Sequence, residues 1–433
     1  MKNPAFPDFV DSFRNSAPYI NAHKGKTFVL LCGGEVVAAE AFSSIVHDIA
    51  LLATLGVRLV VVHGSRSQVE AGLQSENVPS SVVHGTRVTD PRALELAVQT
   101  AGTLRARIEA LLSMGIANSP MHGARIRVCG GNFVTAQPLG VLNGTDFQHT
   151  GKVRRVDHEG IRAQLALGNI VLLSPLGYSP TGEVFNLTRE DVAVSVATAL
   201  QADKLILLEG AALADASGQP LRELPLKQAQ TLQEQHATPA LAAAIHACQQ
   251  GVERCHILDF HTDGALLHEL FTRDGIGAMI NRDSYESIRV ARIEDVGGIM
   301  ELIAPLERDG TLVRRSRERL ELEIGCFSII ERDGAIIACA ALYADAPNRT
   351  AELACVATDP AYRRSGRANR ILEHIETRAR TEGIARLFVL TTRTAHWFAE
   401  RGFRLAELSE LPQRRRELYN YQRNSQVLIK DLE

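Results

Sequence analysis

The feature that most constrains the fold is a series of six short apolar runs along the first two thirds of the chain. They read TFVLLC (27–32), VRLVVVH (57–63), ARIRVCG (124–130), NIVLLSP (169–175), KLILLEG (204–210) and RCHILD (254–259). Most are continuous rather than alternating, as expected of strands covered on both faces. Patterns of helical period separate them at 42–55, 91–113, 189–201, 238–250 and 263–271. Strand and helix in alternation imply an α/β domain with a largely parallel sheet between helical layers, a three-layer αβα sandwich of about 250 residues.

Near INRDSYES (280–287) the texture changes. Helical patterns at 294–304 and 316–323 precede three strand patterns in succession, 326–331, 335–343 and 350–357, the first two joined by the turn ERDG. A helix at 366–382, the strand RLFVL (386–390), a helix at 394–400 and a last strand near 425–429 complete a mixed α/β domain. The expected division is therefore 1–280 for the first domain, 281–287 for a linker and 288–433 for the second. A chain of 433 residues is too long for one ordinary core, which agrees with two.

A formal net charge of -3 argues against a nucleic-acid or membrane surface as the main partner. The seven cysteines are scattered and never spaced as CxxC, so neither a disulfide framework nor a metal site is expected. The first 25 residues contain Pro4, Pro7, Asp8, Asp11 and Pro18 without an apolar run, and no apolar stretch reaches membrane-spanning length. A cytoplasmic protein is expected. Residues 289–433 hold 23 arginines and a single lysine, Lys430. Arginine forks suit an anionic ligand, while genomic base composition offers a plainer explanation.

ACVATDPAYRRSGRANRIL (354–372) runs from strand to helix through a loop with three arginines and little bulk. A helix beginning there presents unpaired backbone amides, and the amides and the helix dipole together favour a diphosphate. The spacing Arg363-x-x-Gly366-x-Ala368 resembles the acyl-CoA signature of the GCN5-related N-acetyltransferases. The resemblance implies acetyl-CoA as co-substrate and no metal. It places the diphosphate on Arg363, Arg364, Ser365, Gly366, Arg367 and Ala368. In that family the preceding strand splays from its neighbour and meets the pantetheine arm through its backbone, which points to Cys355 and Val356.

Acetyl transfer to an amine needs the amine neutral, so a carboxylate near the thioester is required to take its proton. Glu352, on the strand before the turn, is the candidate base. The departing thiolate takes an acid, for which Tyr419, Tyr421, Thr391, Thr392 and Cys355 all qualify, with Tyr421 the working assignment. Trp397, the only tryptophan, is expected to pack against the last helix.

Longer stretches extend the likeness: FRNSAPYINAHKGKTFVLLCGGE, FSSIVHDIALLATLGVRLVVVHG, HELFTRDGIG, FVLTTRTAHWFAERGF and LYNYQRNSQVL. Together they resemble the bacterial N-acetylglutamate synthase family, in which an amino-acid-kinase domain precedes the acetyltransferase. The resemblance implies acetylation of L-glutamate as the first step of arginine synthesis, inhibition by L-arginine, and a hexameric ring joined through N-terminal helices near residues 8–20. Glutamate's carboxylates call for arginines. LVRRSRERLE, PQRRREL and YNYQRNS offer several, of which Arg315 and Arg423 are the working choice.

Kinases of the first domain's fold resemble KxGG and HGGG at two strand ends. Here Leu31 replaces the lysine, Ser65 and Arg66 replace two glycines, and Arg189 stands where a small residue is expected. The expectation is a kept fold with phosphotransfer lost. Resemblance to arginine-inhibited kinases marks Tyr19, Lys204, His256, Glu269 and Gly275 as an arginine site, in which Glu269 suits a guanidinium and Lys204 a carboxylate. The ordinary alternatives are a core histidine, a solvated glutamate and a capping glycine. Two rival functions remain: a bifunctional enzyme that also phosphorylates, and an arginine-sensing interaction protein with a vestigial acetyltransferase domain.

Overall fold

The computed structural model describes residues 5–432 except 84, 116, 118–120, 216, 217, 283–285, 333, 364 and 365. The chain divides into two compact units, Met1–Asp283 and Ser284–Glu433. No helix among the described residues is long and apolar enough to cross a membrane.

The first unit opens with helix α1 (Ala5–His23) and strands β1 (Thr27–Cys32), β2 (Arg58–His63), β3 (Val128–Cys129) and β4 (Ile170–Leu173). Helix α2 (Arg189–Leu200), β5 (Lys204–Glu209), β6 (Glu223–Pro225), β7 (Arg254–Asp259), helix α3 (Ala265–Phe271) and β8 (Ala278–Asn281) follow. The eight strands are ordered β6-β8-β7-β5-β1-β2-β4-β3. All neighbours are parallel except β7 and β8.

Strand β1 shows why its apolar run is continuous. Val29 and Leu31 enter one core cluster, while Phe28, Leu30 and Cys32 enter another. Successive side chains point to opposite faces, so both faces are covered. The run at 124–130 pairs only over Val128–Cys129, opposite Ile170 and Val171. It lies at the sheet's edge, where Arg125 and Arg127 leave little to bury. A second sheet was not anticipated. Its strands, Val134–Pro138, Gly151–Val156, Leu176–Tyr178 and Val184–Asn186, are short and partly exposed, so none presents an apolar run.

The second unit contains β9 (Glu286–Val290), α4 (Val296–Arg308), α5 (Arg317–Glu323), β10 (Phe327–Arg332), β11 (Ala335–Asp345) and β12 (Thr350–Thr358). After these come α6 (Arg367–Thr381), β13 (Arg386–Thr391), α7 (Ala395–Ala399), β14 (Arg404–Ala406), α8 (Gln413–Glu417) and β15 (Gln426–Asp431). The sheet order is β9-β10-β11-β12-β13-β15-β14, antiparallel except for β12 with β13. Asn281 closes β8 and Glu286 opens β9, both within the expected linker 281–287.

Helix α6 buries Ile371, Leu372 and Ile375 against Ile330, Ala338 and Ala340 of the sheet. At roughly 2 kcal/mol for each large apolar side chain, this stripe holds the helix on the sheet and fixes where its first turn ends.

Candidate active site

Strands β12 and β13 begin as partners and then part. Their ladder runs from Thr350 opposite Arg386 to Glu352 opposite Phe388. Both strands continue, to Thr358 and Thr391, and a cleft of about 1360 Å³ opens between them. A bulge marks the divergence: Cys339 pairs with Ala357 and Ala341 with Ala354, so Cys355 and Val356 together face one residue of β11. Cys355 adopts φ of 52°, a left-handed conformation that bends the strand as bulges do.

The turn before α6 forms one wall of this cleft. Gly366 has φ of 79° and caps the helix, and a Cβ there would meet nothing within 4 Å. The helix's own bonds start with the Asn369 and Arg370 amides on the Gly366 carbonyl. Arg363, Gly366, Arg367 and Ala368 line the cleft together with Cys355 and Val356. Arg364 and Ser365 lie outside the described residues. The Arg367 guanidinium departs from expectation by pairing with Glu286 on β9. That neighbour could not be read from the local motif.

Glu352 lines the cleft near the end of the paired segment, where both its oxygens accept from Arg415 of α8 at 2.7 and 3.0 Å. The sequence offered three consecutive arginines there without saying which one faces inward. Tyr421 is 74% exposed and is not among the cleft residues, so its assignment as acid does not match its placement. Tyr419 does line the cleft, but its hydroxyl donates to the Ser425 carbonyl at 2.7 Å. Thr391 and Cys355 are the remaining candidates on the wall, and Thr392 is not.

Arg315 and Arg423 both line the cleft. Arg315 donates to the Val313 carbonyl at 3.1 Å, and Arg423 donates to the Thr311 carbonyl. Among the described residues, nine arginines face the cleft against Asp309, Glu323 and Glu352, a surplus that suits an anionic ligand. Two further features escaped the sequence. The Tyr343 hydroxyl donates to Glu323 at 2.6 Å. Burial drives the Glu323 carboxyl upward, but Tyr343 and Arg319 outweigh it and hold it below its ordinary value. Trp397 packs edge-on against Phe398, its neighbour on α7, and also lines the cleft under the Arg401 guanidinium, 4.0 Å from its ring centre.

In the first unit, the glycine turns after β1 and β2 are filled. Arg189 reaches between them and pairs with Glu35, Glu190 and Glu209 at 2.6, 2.7 and 3.1 Å. A Cβ at Gly33 would lie 1.7 Å from its guanidinium, and one at Gly64 would lie 2.9 Å from its Cδ. The space those glycines would offer a phosphate holds an internal cation instead.

A second constellation lies at the other end of β5 and β7. Lys204 Nζ approaches His256 Nε2 at 3.3 Å, and His256 Nδ1 meets Glu269 Oε1 at 2.6 Å. Burial and the Lys204 charge push the imidazole's pKa down, so the neutral ring accepts at Nε2 and donates at Nδ1. Glu269 Oε2 accepts the Ile276 and Gly277 amides at 2.7 and 2.8 Å. Burial alone would raise the Glu269 carboxyl; His256 and the two amides hold it down at about 2. Gly275 has φ of 57°, and a Cβ there would stand 2.4 Å from Glu269 Oε2. Tyr19 sits on α1 between Ser16 and His23, which bond the Phe271 and Leu270 carbonyls of the Glu269-bearing helix. Lys204, His256, Glu269 and Gly275 thus meet beside α3, with Tyr19 on the helix bonded to its end, and Glu269 is not a solvated helix face.

Residues 26–259 match the amino acid kinase family and residues 298–403 the acetyltransferase (GNAT) family. The chain is 54% identical over 432 residues to an amino-acid acetyltransferase of Pseudomonas fluorescens (strain Pf0-1), covering 98% of this chain and 100% of that one. The chain belongs to the amino-acid acetyltransferase family. An Azotobacter vinelandii member is also 54% identical, again over 98% of this chain and the whole of the relative. The crystal structure of N-acetylglutamate synthase from Neisseria gonorrhoeae complexed with coenzyme A and L-arginine aligns with a TM-score of 0.90 at 41% identity, covering 98% of this chain and 99% of that one. The same enzyme complexed with coenzyme A and N-acetyl-glutamate aligns with a TM-score of 0.63 over the same shares. The chain is therefore an acyltransferase that takes acetyl-CoA, and a vestigial acetyltransferase domain is set aside.

Proposed function

We propose that the chain transfers the acetyl group of acetyl-CoA to the α-amine of L-glutamate, releasing N-acetyl-L-glutamate and CoA, under inhibition by L-arginine. One observation carries the first part. The cleft between the splayed strands ends at an open helix start, with Glu352 where the strands part.

The diphosphate rests against the amides of the Gly366–Ala368 turn and beside Arg363, while the pantetheine arm lies along Cys355 and Val356. The glutamate amine attacks the thioester carbonyl, and the carbon–sulfur bond breaks. Glu352 takes the amine proton directly or through one water, since the Arg415 fork leaves each of its oxygens with further acceptor capacity. The thiolate leaves with a hydrogen bond from the Thr391 hydroxyl on the cleft wall and takes its proton from solvent; exposed Tyr421 is not among the cleft residues. Arg315 and Arg423 hold the substrate carboxylates by exchanging their present carbonyl partners for charged ones.

Arginine is assigned to the constellation of Tyr19, Lys204, His256, Glu269 and Gly275. The relative crystallised with coenzyme A and L-arginine supports an arginine site of this kind. Exposed Phe9 and Phe13, stacked at 6.1 Å on α1, support assembly of a homo-oligomer, with a hexamer as the expectation. A cytoplasmic location follows from the biosynthetic role.

A thiol-release assay tests the reading. Free CoA should appear with L-glutamate and far more slowly with L-aspartate, and micromolar to millimolar L-arginine should suppress it. No glutamate-dependent CoA release would overturn the assignment.

A further inference from the structure

The helix end of the diphosphate turn is tied to a buried carboxylate that the catalytic reading leaves without a role, and the strand end meets the same arginines through Tyr362. Glu286, at the start of β9, has a side chain 3% exposed. It accepts from Arg367 Nε at 2.6 Å and from Arg370 Nη1 at 2.7 Å, and Arg332 stands 3.6 Å away. Arg367 is the first residue of α6 and Arg370 lies one turn on. The same Arg367 guanidinium lies 4.8 Å from the ring centre of Tyr362, and Arg332 lies 5.4 Å from it. Tyr362 is buried and is the last residue of the 3₁₀ turn before the loop. One cluster therefore grips the chain immediately before and immediately after the phosphate-facing segment.

We propose that Glu286 is a positioning residue for acetyl-CoA. Through Arg367 and Arg370 it fixes the first turn of α6, so that the amides of Gly366 to Ala368 stand ready for the diphosphate. The proposal rests on the placement of the diphosphate given above. Its sign follows from the bonds Arg367 already makes. Arg367 lines the cleft, but its Nε and Nη2 both donate to Glu286 on β9, three strands from β12. A guanidinium held in this way is drawn from the diphosphate, and releasing it loosens the turn. Glu286 also brings a negative charge to Arg332 and Arg367, whose side chains are largely buried.

The test compares acetyl-CoA with S-acetylpantetheine, which carries the thioester without the diphosphate, using full-length wild-type protein and Glu286→Gln. For acetyl-CoA, the KM of the variant should rise about tenfold or more, as for other modest misplacements of binding groups, while kcat stays within about twofold. For S-acetylpantetheine the two proteins should give the same kcat/KM. Wild type with no preference for acetyl-CoA would overturn the diphosphate placement itself. A wild-type preference kept intact by Glu286→Gln, or strengthened by it, would overturn the role of Glu286 alone. If Glu286→Gln does not fold, Arg370→Met serves instead, because Arg370 is 42% exposed. An Arg370→Met preference reduced about threefold supports the proposal, and an unchanged one overturns it.

Discussion

Both units place glycine turns where a strand hands over to a helix, but the space beside the turns differs. In the first unit the turns at Gly33 and Gly64 close around Arg189, whose guanidinium is held by three glutamates. In the second, the turn at Gly366 opens on a cleft lined with arginines. The sheet beneath is intact in each case: Phe28 to Cys32 of β1 are as fully buried as Ile337 to Ala341 of β11. A fold is maintained by burial along its strands, whereas its chemistry depends on what is left vacant at their ends. One long cation reaching inward fills the space beside such turns without disturbing the core.

The contrast can be broken most sharply at Glu352. Glu352→Gln should lower kcat by about 10² to 10⁴, the usual contribution of a positioned base, with both KM values little changed. Turnover that survives in the thiol-release assay would place the base elsewhere and would weaken the claim that the second cleft alone retains chemistry.

The first unit's own test lies at Glu269. Glu269→Ala strands His256 and two backbone amides, and urea unfolding should report a loss of about 3 kcal/mol. L-arginine should no longer inhibit. The same carboxylate gives a pH signature. Its folded value of about 2 lies below its ordinary 4.5, so it stabilises the unit above pH 4.5 and loses that contribution as pH falls toward 2. The stabilisation at stake is about 3 kcal/mol by the linkage relation. Glu269→Gln should remove this slope, and an unchanged acid limb in the variant would show that other groups cause it.

Smaller effects sharpen the comparison. Arg315→Met and Arg423→Met should each raise the KM for glutamate about 10-fold to 100-fold, with acetyl-CoA binding by calorimetry held constant. Arg189→Ala should destabilise the first unit by only about 1 to 2 kcal/mol, because freed glutamates regain water as the ion pairs are lost. It should not restore phosphotransfer, since Leu31 still lacks a charge. An ATP-dependent acyl phosphate trapped as its hydroxamate would break the contrast altogether.

Much of this architecture is legible in residue patterns. Buried strands such as 27–32, 204–209 and 254–259 announce themselves because both faces demand apolar side chains. The small mixed sheet at 134–186 does not, because its strands are too short and too exposed to carry a period. Local motifs likewise marked the turn at Arg363 to Ala368. They did not reveal that Arg367 turns to Glu286, that Arg415 rather than a neighbouring arginine holds Glu352, or that Tyr421 faces solvent. The first two depend on a partner many residues away, 81 for Arg367 and 63 for Arg415.

Composition and period alone determined two α/β cores, and family resemblance added the candidate residues for phosphate, carboxylate and proton. Those properties belong to single side chains and short runs, and they survive in any order of packing. Tertiary structure decided which side chains meet. Strand divergence after Glu352 made a cleft of one turn, Arg189 closed another, and Glu286 tied the helix end of a loop from three strands away. Such outcomes depend on distances between segments remote in the chain, which no local pattern encodes.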